Sequence, residues 1–250
     1  LCQDRPQVLG KIERCRDFIS ALEQSCDHQK IIVDDALDYS KIEANKLELV
    51  SVSFCVQTAL TNLLKMYAPQ VEQKSLMLAV QLPPGLLWVR GDWFRLSQVV
   101  SNLMSNAIKF TASGGKIDIS VDYEEVPPSQ VRLAVSVSDT GIGMDEEELK
   151  RLFLSFTQAH PNIAARYGGS GLGLVISKRL VEKMGGDLNV ESTKNVGTVF
   201  RFTVVADLLN KLEVTTLMEK QAASDRRPKQ TSPALASQGE TVLVVEDMET

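Results

Sequence analysis

The sequence predicts an α/β fold preceded by one long helix, and two patterns carry that reading. From Lys11 to about Leu49, the apolar residues Ile12, Cys15, Ile19, Leu22 and Cys26 recur at alternating spacings of three and four, and Val33, Ala36 and Ser40 extend the stripe. Beyond residue 75, short β-patterned runs alternate with helical ones, with glycine- or proline-bearing turns between them. At ~150 residues per domain, a chain of 250 residues holds between one and two domains.

Residues 1–10 contain a proline and a glycine and read as loop. The stripe after them is narrow, the kind of seam used in coiled coils and bundles. One helix cannot bury its own stripe, so a partner is implied, through self-association or from a helix further upstream. The helix breaks around Val50–Phe54, and a second runs from Cys55 to Lys74 with Pro69 weakening its middle. Leu76–Leu82 alternates like a strand and Pro83-Pro84-Gly85 turns the chain. Asp92 is placed to N-cap a helix that continues to Lys109. Strands are expected at Lys116–Tyr123 and Val131–Ser138, joined through Pro127-Pro128, and a short helix at Glu146–Phe153. Residues 154–170 are polar and small without a period, hence loop. Leu172–Met184 reads as a helix closed by Gly185-Gly186, and strands at about Asp187–Ser192 and Thr198–Val205 complete the unit. After Ala206 the composition shifts to a linker containing Arg226-Arg227, and Thr241–Val245 is a short buried-strand run ending on Glu246-Asp247.

Composition removes several classes of function. The charges sum to 27 − 32 = −5 and no basic run occurs, so nucleic acid is not the expected partner. Hydrophobic residues at 44% are ordinary for a globular chain with a sizeable core. No apolar stretch approaches the roughly 18 residues a membrane span needs, and no signal peptide opens the chain. No membrane contact is therefore expected within this segment, and the cytoplasm is the expected location, with a membrane anchor elsewhere in the parent protein left open. Cys2, Cys15, Cys26 and Cys55 form no Cys-x-x-Cys and read as reduced thiols. His28 and His160 have no second ligand at helical spacing, so an imidazole metal site is not supported. The chain opens on Leu1-Cys2-Gln3-Asp4 instead of an initiator methionine and reads as an internal piece of a longer protein.

Three clusters carry chemistry. In Asn102-Leu-Met-Ser-Asn106-Ala-Ile-Lys109-Phe-Thr111, the two asparagines share a helix face and Lys109 follows a turn later. Amide oxygens suit Mg²⁺ when phosphates complete its shell, and a lysine can meet phosphate oxygens. Taken alone, the same residues fit a solvated helix face. Asp139-Thr140-Gly141-Ile142-Gly143 follows a strand; a carboxylate there can accept from an exocyclic amine, and glycines admit a flat base. A plain strand-to-helix turn would look similar. Gly168-Gly169-Ser170-Gly171-Leu172-Gly173-Leu174 opens a helix, where backbone N–H groups can cradle phosphate. Its glycine spacing fits neither a dinucleotide fingerprint nor a P-loop.

In that order the clusters resemble the boxes of the ATP-binding catalytic domain of sensor histidine kinases, in the GHKL superfamily, over roughly residues 35–206. Asn102–Thr111 is similar to the N box, Asp139–Gly143 to the first glycine box, Phe153-x-x-Phe156 to the F box and Gly169–Leu174 to the second glycine box. The segment Asp35–Leu49 resembles the end of the dimerisation helix in hybrid kinases, and Thr241–Asp247 the first strand and acidic pair of a receiver domain.

The resemblance implies a two-layer α/β sandwich, helices on one side of a mixed sheet, preceded by a dimerisation helix. It divides the chain into 1–50 (the end of a helical dimerisation and phosphotransfer region), 51–206 (the ATP-binding domain), 207–240 (linker) and 241–250 (receiver start). It implies ATP and Mg²⁺ as cofactors. Asn106 becomes the metal ligand with Asn102 beside it, and Lys109 reaches the phosphates. Asp139 binds the adenine amine in a turn shaped by Gly141 and Gly143. Gly169, Gly171 and Gly173 cradle the phosphate tail within a box that also holds Ser170 and Leu172. Phe153 and Phe156 anchor a lid over 154–170 and face the bundle. The implied activity is transfer of the ATP γ-phosphoryl to a histidine and then to a receiver aspartate. The implied partners are a second copy, through the bundle, and a receiver domain on the same or a separate chain.

One departure qualifies the resemblance, and one residue excludes a rival within the superfamily. The acceptor histidine is expected before an acidic residue, yet His28 precedes Gln29 and His160 precedes Pro161, which places the acceptor upstream of Leu1. ATP-hydrolysing members of the superfamily carry a glutamate where this chain has Asn102, and an amide cannot act as the general base for water. Asn102 therefore argues for transfer over hydrolysis. A degenerate pseudokinase that binds nucleotide as a scaffold is the alternative.

Overall fold

Seven strands of the described residues form one mixed sheet in this computed structural model, which describes residues 16, 18–19, 22, 26, 29–30, 32–154 and 171–225. The elements are helix α1 (continuous over 32–43), β1 (Val52–Cys55), α2 (Val56–Lys65), α3 (Ala68–Gln73), β2 (Met77–Gln81), β3 (Trp88–Gly91), α4 (Trp93–Phe110), β4 (Lys116–Val126), β5 (Gln130–Asp139), α5 (Glu146–Arg151), α6 (Gly173–Lys183), β6 (Leu188–Thr193), β7 (Gly197–Leu208) and α7 (Lys211–Asp225). They fall into two compact units: Leu1–Leu49 with Asp145–Leu180, and Val50–Met144 with Val181–Thr250.

The second unit contains the whole sheet. Its strand order is β1-β3-β7-β5-β4-β2, with β6 also on β7; β2 runs parallel to β4 and every other pairing is antiparallel. Register aligns buried side chains into rows. Ile119, Val137 and Phe200 stand abreast, as do Val121, Val135 and Phe202, and Leu133 faces Val204. The alternate positions Ser120, Ser136 and Arg201 form a polar row on the other face. One covered face and one polar face give two layers, because period-two alternation sends successive side chains to opposite sides. Helix α4 lies against β5 and buries Leu96, Val99, Val100, Leu103, Met104, Ala107 and Ile108. At about 1.5–3 kcal/mol for each fully buried aliphatic side chain, this helix face is a principal source of stability. The mixed sheet with its helical layer matches the expected sandwich.

Several elements differ from the sequence reading. The first helix ends at residue 43, short of Leu49, in a Schellman motif. Asn45 adopts φ 52°, its N–H donates to Ile42 O (2.9 Å), and Lys46 N–H donates to Lys41 O (2.8 Å). Its stripe is uncovered where described: Ile19, Leu22 and Val33 are 57%, 65% and 56% exposed. Ile12 and Cys15 lie outside the described residues. The break at 50–54 is a strand, β1. The helix expected over Cys55–Lys74 is two helices, parted at Met66-Tyr67, and Pro69 sits in the first turn of the second, where its missing N–H costs nothing. Strand β3 was not foreseen.

The supposed linker after Ala206 begins as strand to Leu208 and continues as α7. Asn210 and Glu213 form a reciprocal cap, Glu213 N–H to Asn210 Oδ1 and Asn210 N–H to Glu213 Oε2, both 3.0 Å. Val214 and Leu217 pack on a cluster of Cys55, Trp88 and Leu209.

Asp92 caps α4 as foreseen, accepting from Arg95 N–H at 2.9 Å, and its other oxygen accepts from Val50 N–H at 2.8 Å. One carboxylate thus ties the entry of β1 to the start of the helix. Asp92→Ala is expected to lower stability by about 1–2 kcal/mol. Urea denaturation should show a lower midpoint at unchanged slope.

Candidate functional site

Helix α4 presents Asn102, Asn106 and Lys109 along one half-buried stripe beside its apolar face. Asn106 Nδ2 points to Asn102 Oδ1 at 3.5 Å, so the two amides adjoin as their spacing predicts. Lys109 Nζ stands 5.0 Å from the centre of the Phe110 ring, and burial holds its pKa below the ordinary lysine value. A depressed lysine pKa marks an ammonium stripped of some water, which strengthens its attraction for an anion. Two neutral amide oxygens and one cation form a donor set that fits a magnesium–phosphate group.

The last turn of α4 leaves four carbonyls to be satisfied, and all four have partners. Ala107 O accepts from the N–H and the hydroxyl of Thr111 (3.0 and 2.7 Å). Ile108 O and Lys109 O accept from Lys74 Nζ (2.6 and 3.1 Å). Phe110 O accepts from Ile142 N–H (3.3 Å). That last bond joins the asparagine helix to the glycine turn after β5.

Asp139 ends β5 buried, its Oδ1 accepting from Gly141 N–H at 2.8 Å. Burial lifts its pKa above the ordinary aspartate value, and backbone N–H groups of Gly141 and Thr198 oppose that rise. The glycines of this turn also meet a packing requirement. A Cβ on Gly141 would lie 2.7 Å from Phe110 O, and one on Gly143, at φ 59°, would lie 1.9 Å from Thr193 O. Protein backbone fills both positions, so the glycines admit the end of α4 and the β6–β7 hairpin. The hairpin holds this turn from one side: Asn195 N–H donates to Ile142 O (2.6 Å), and Met144 N–H donates to Ser192 Oγ (2.8 Å). Ser192 Oγ also meets Thr198 Oγ1 at 2.8 Å and Gly197 O at 3.0 Å.

The remaining candidates belong to the other unit. Phe153 lies beneath Lys178, whose Nζ is 4.8 Å from the ring centre. Gly171 adopts φ 68°, Leu172 is buried and accepts Ile176 N–H at 2.8 Å, and Gly173 opens α6. Asp145 and Glu148 cap α5 reciprocally. Phe156, Gly169, Ser170, the expected lid beyond residue 154, His28, His160 and the receiver-like 241–247 lie outside the described residues.

The family described as histidine kinase-, DNA gyrase B- and HSP90-like ATPase matches residues 91–208, which span α4, the glycine turn and the hairpin. This segment is a histidine kinase-like ATPase domain. The signal transduction histidine-protein kinase BarA of Escherichia coli K12 is 40% identical over 197 residues, 77% of this chain and 21% of BarA. The autoinducer 2 sensor kinase/phosphatase LuxQ of Vibrio vulnificus is 35% identical over 235 residues, 93% of this chain and 26% of LuxQ. Full-length ShkA, solved in complex with AMPPNP, superposes with a TM-score of 0.63 at 28% identity, over 78% of this chain and 39% of that one. The chain thus spans about a fifth to a quarter of the length of these two curated relatives.

Sequence reasoning missed Lys74, Ser192 and Asn195. A lone lysine and a serine in a strand carry no local signal of such roles. The connection between the strands expected at about Asp187–Ser192 and Thr198–Val205 was not read, nor that it would hold the Asp139 loop.

Gly143→Ala combines a left-handed backbone with a clash, whereas Gly114→Ala, at φ 80° with open space around it, has the backbone cost alone. Thermal or urea unfolding should place Gly143→Ala below Gly114→Ala by about 2 kcal/mol or more. Equal stabilities would show that the hairpin does not hold the turn.

Proposed function

We propose that the chain binds ATP with Mg²⁺ and transfers the γ-phosphoryl to a histidine carried on a helical bundle, from which it passes to a receiver aspartate. The observation that carries this reading is the Asn102–Asn106–Lys109 stripe, joined through Phe110 O to the turn that follows the buried Asp139. ShkA, 28% identical, is solved with AMPPNP, which supports a nucleotide here.

In this reading Asn106 holds the metal, Asn102 steadies the Asn106 amide, and Lys109 meets the phosphates. The metal's contribution is to neutralise charge on the transferring phosphoryl. Asp139 accepts from the adenine amine. Asn102 cannot abstract a proton from water, so an acceptor outside the site takes the phosphoryl group. Catalysis then consists of holding donor and acceptor in line, which a mobile bundle histidine can satisfy. Among the described residues no helix is long and apolar enough to cross a membrane. The proposed setting is the cytoplasm, with dimerisation through the bundle.

Adenine recognition through Asp139 has a pH signature. Affinity for adenine nucleotides should fall on acidification in a window above the ordinary aspartate pKa of ~3.9, because burial raises this one. A folded-state pKa above the unfolded one means that protonation here favours the folded chain, so the affinity loss reflects a lost acceptor and not unfolding driven by this group. Calorimetric titration alongside melting curves separates the two. Asp139→Asn should bind ATP more weakly at neutral pH and lose the acid-side dependence; parent-like affinity would remove Asp139 from the site.

Transfer is tested with radiolabelled ATP, using the chain alone and then with a bundle fragment bearing an acid-followed histidine. Label that is stable to alkali, labile to acid and confined to the bundle is expected, and chelating Mg²⁺ should abolish it. Such label on the chain alone would relocate the acceptor, with His28 the first residue to replace.

A further inference from the structure

We propose that Lys74 is a positioning residue for phosphate recognition, fixing the last turn of α4 and with it the presentation of Asn106 and Lys109. The inference rests on the ATP reading of that stripe. Lys74 follows α3, a helix that carries none of the candidate site residues. Its half-buried ammonium donates to the carbonyls of Ile108 (2.6 Å), Lys109 (3.1 Å) and Thr111 (3.2 Å). Three N–H donors meet three carbonyls, so the hydrogen-bonding capacity of the group is used in full. The carbonyls belong to the negative end of the helix dipole, where a cation is most favourable.

One of those carbonyls is that of Lys109 itself. Its backbone is therefore clamped from one side, at a position on the same helix face as Asn102 and Asn106, with its Nζ 5.0 Å from the Phe110 ring centre. The carbonyl of Lys74 accepts in turn from Gly114 N–H (3.2 Å) and the Ser113 hydroxyl (2.8 Å), so the same residue also holds the turn leading into β4. Removing the ammonium leaves Ile108 O, Lys109 O and Thr111 O without this donor. The last turn then loosens, where Asn106 and Lys109 sit. Asp139 keeps its bonds from Gly141 and from Thr198, so the adenine end of the site stays in place.

A lysine that merely stabilised the domain would weaken all ligands together or none. Phosphate positioning instead changes the ratio between Mg-ATP and adenosine. Both are measured on the 250-residue chain, Mg-ATP by calorimetry and adenosine by NMR titration, for the parent, Lys74→Met and Lys74→Arg. Lys74→Met should bind Mg-ATP about tenfold more weakly and adenosine within about twofold of the parent. Lys74→Arg keeps the charge and several N–H donors and should stay within about threefold for Mg-ATP. Equal losses for both ligands in Lys74→Met, no loss in either, or a folded Lys74→Arg as weak as Lys74→Met would each overturn the proposal. If Lys74→Met does not fold, Lys74→Gln is judged by the same ratio. A parent chain that binds adenosine but not Mg-ATP would overturn the phosphate-site reading itself, an outcome distinct from failure of the Lys74 variants.

Discussion

A helix must dispose of the carbonyls in its last turn that its own ladder cannot use. In α4 those groups are divided among three neighbours: the Thr111 cap, the Lys74 ammonium and the Ile142 N–H. Each partner comes from a different part of the chain, so closing the helix end also fixes the relative positions of those parts. The asparagine stripe, the turn after β5 and the loop entering β4 consequently share one junction. Phe110 O joins the helix end to the turn after β5, although the two lie in separate boxes of the sequence, while Asp139 itself is held by Gly141 and Thr198.

The second constraint is electrostatic. Asp139 is buried at the end of a central strand, where its charge is disfavoured, and two backbone N–H groups offset only part of that. A purely structural requirement would be met more cheaply by a neutral residue. The packing around it is backbone against backbone: Gly197, at φ 144°, has a Cβ position only 2.0 Å from Asp139 O, and Gly143 abuts Thr193. Glycine is thus required at these positions by the approach of one backbone to another, and the turn owes its shape to the hairpin as much as to its own sequence.

Legibility in the sequence followed the range of the interaction concerned. Asp92 as an N-cap, the glycine stop of α6 and the alternating strands β4, β5 and β7 were readable because each is decided within a few residues. Gly185 at φ 76° and Gly186 N–H on Val181 O realise the expected stop. β3 escaped because four residues, Trp88–Gly91, give too short a run for a period, and its pairing with β1 and β7 is wholly non-local. Lys74 escaped for the same reason: its acceptors lie more than thirty residues away. The Asn102–Asn106 pairing was legible as an i, i+4 contact, whereas the backbone that crowds Gly141 and Gly143 was not, since nothing local shows which distant carbonyl will approach a glycine.

Helix α7 shows how composition alone misleads about order. Its polar, alanine- and threonine-bearing sequence resembles a linker, and its amphipathic signal is weak. What holds it is a small apolar contact at its start: Leu209, Val214 and Leu217 against Cys55 and Trp88. The exposed pair Arg90–Glu213, at 2.9 Å, bridges β3 to the same turn, but such pairs contribute little in water. The reciprocal Asn210–Glu213 cap supplies the start signal, and docking on β3 supplies the burial that an isolated helix of this length would lack. The order in this segment therefore comes from its first turns, where strand β7 delivers the chain directly onto the cluster around Trp88.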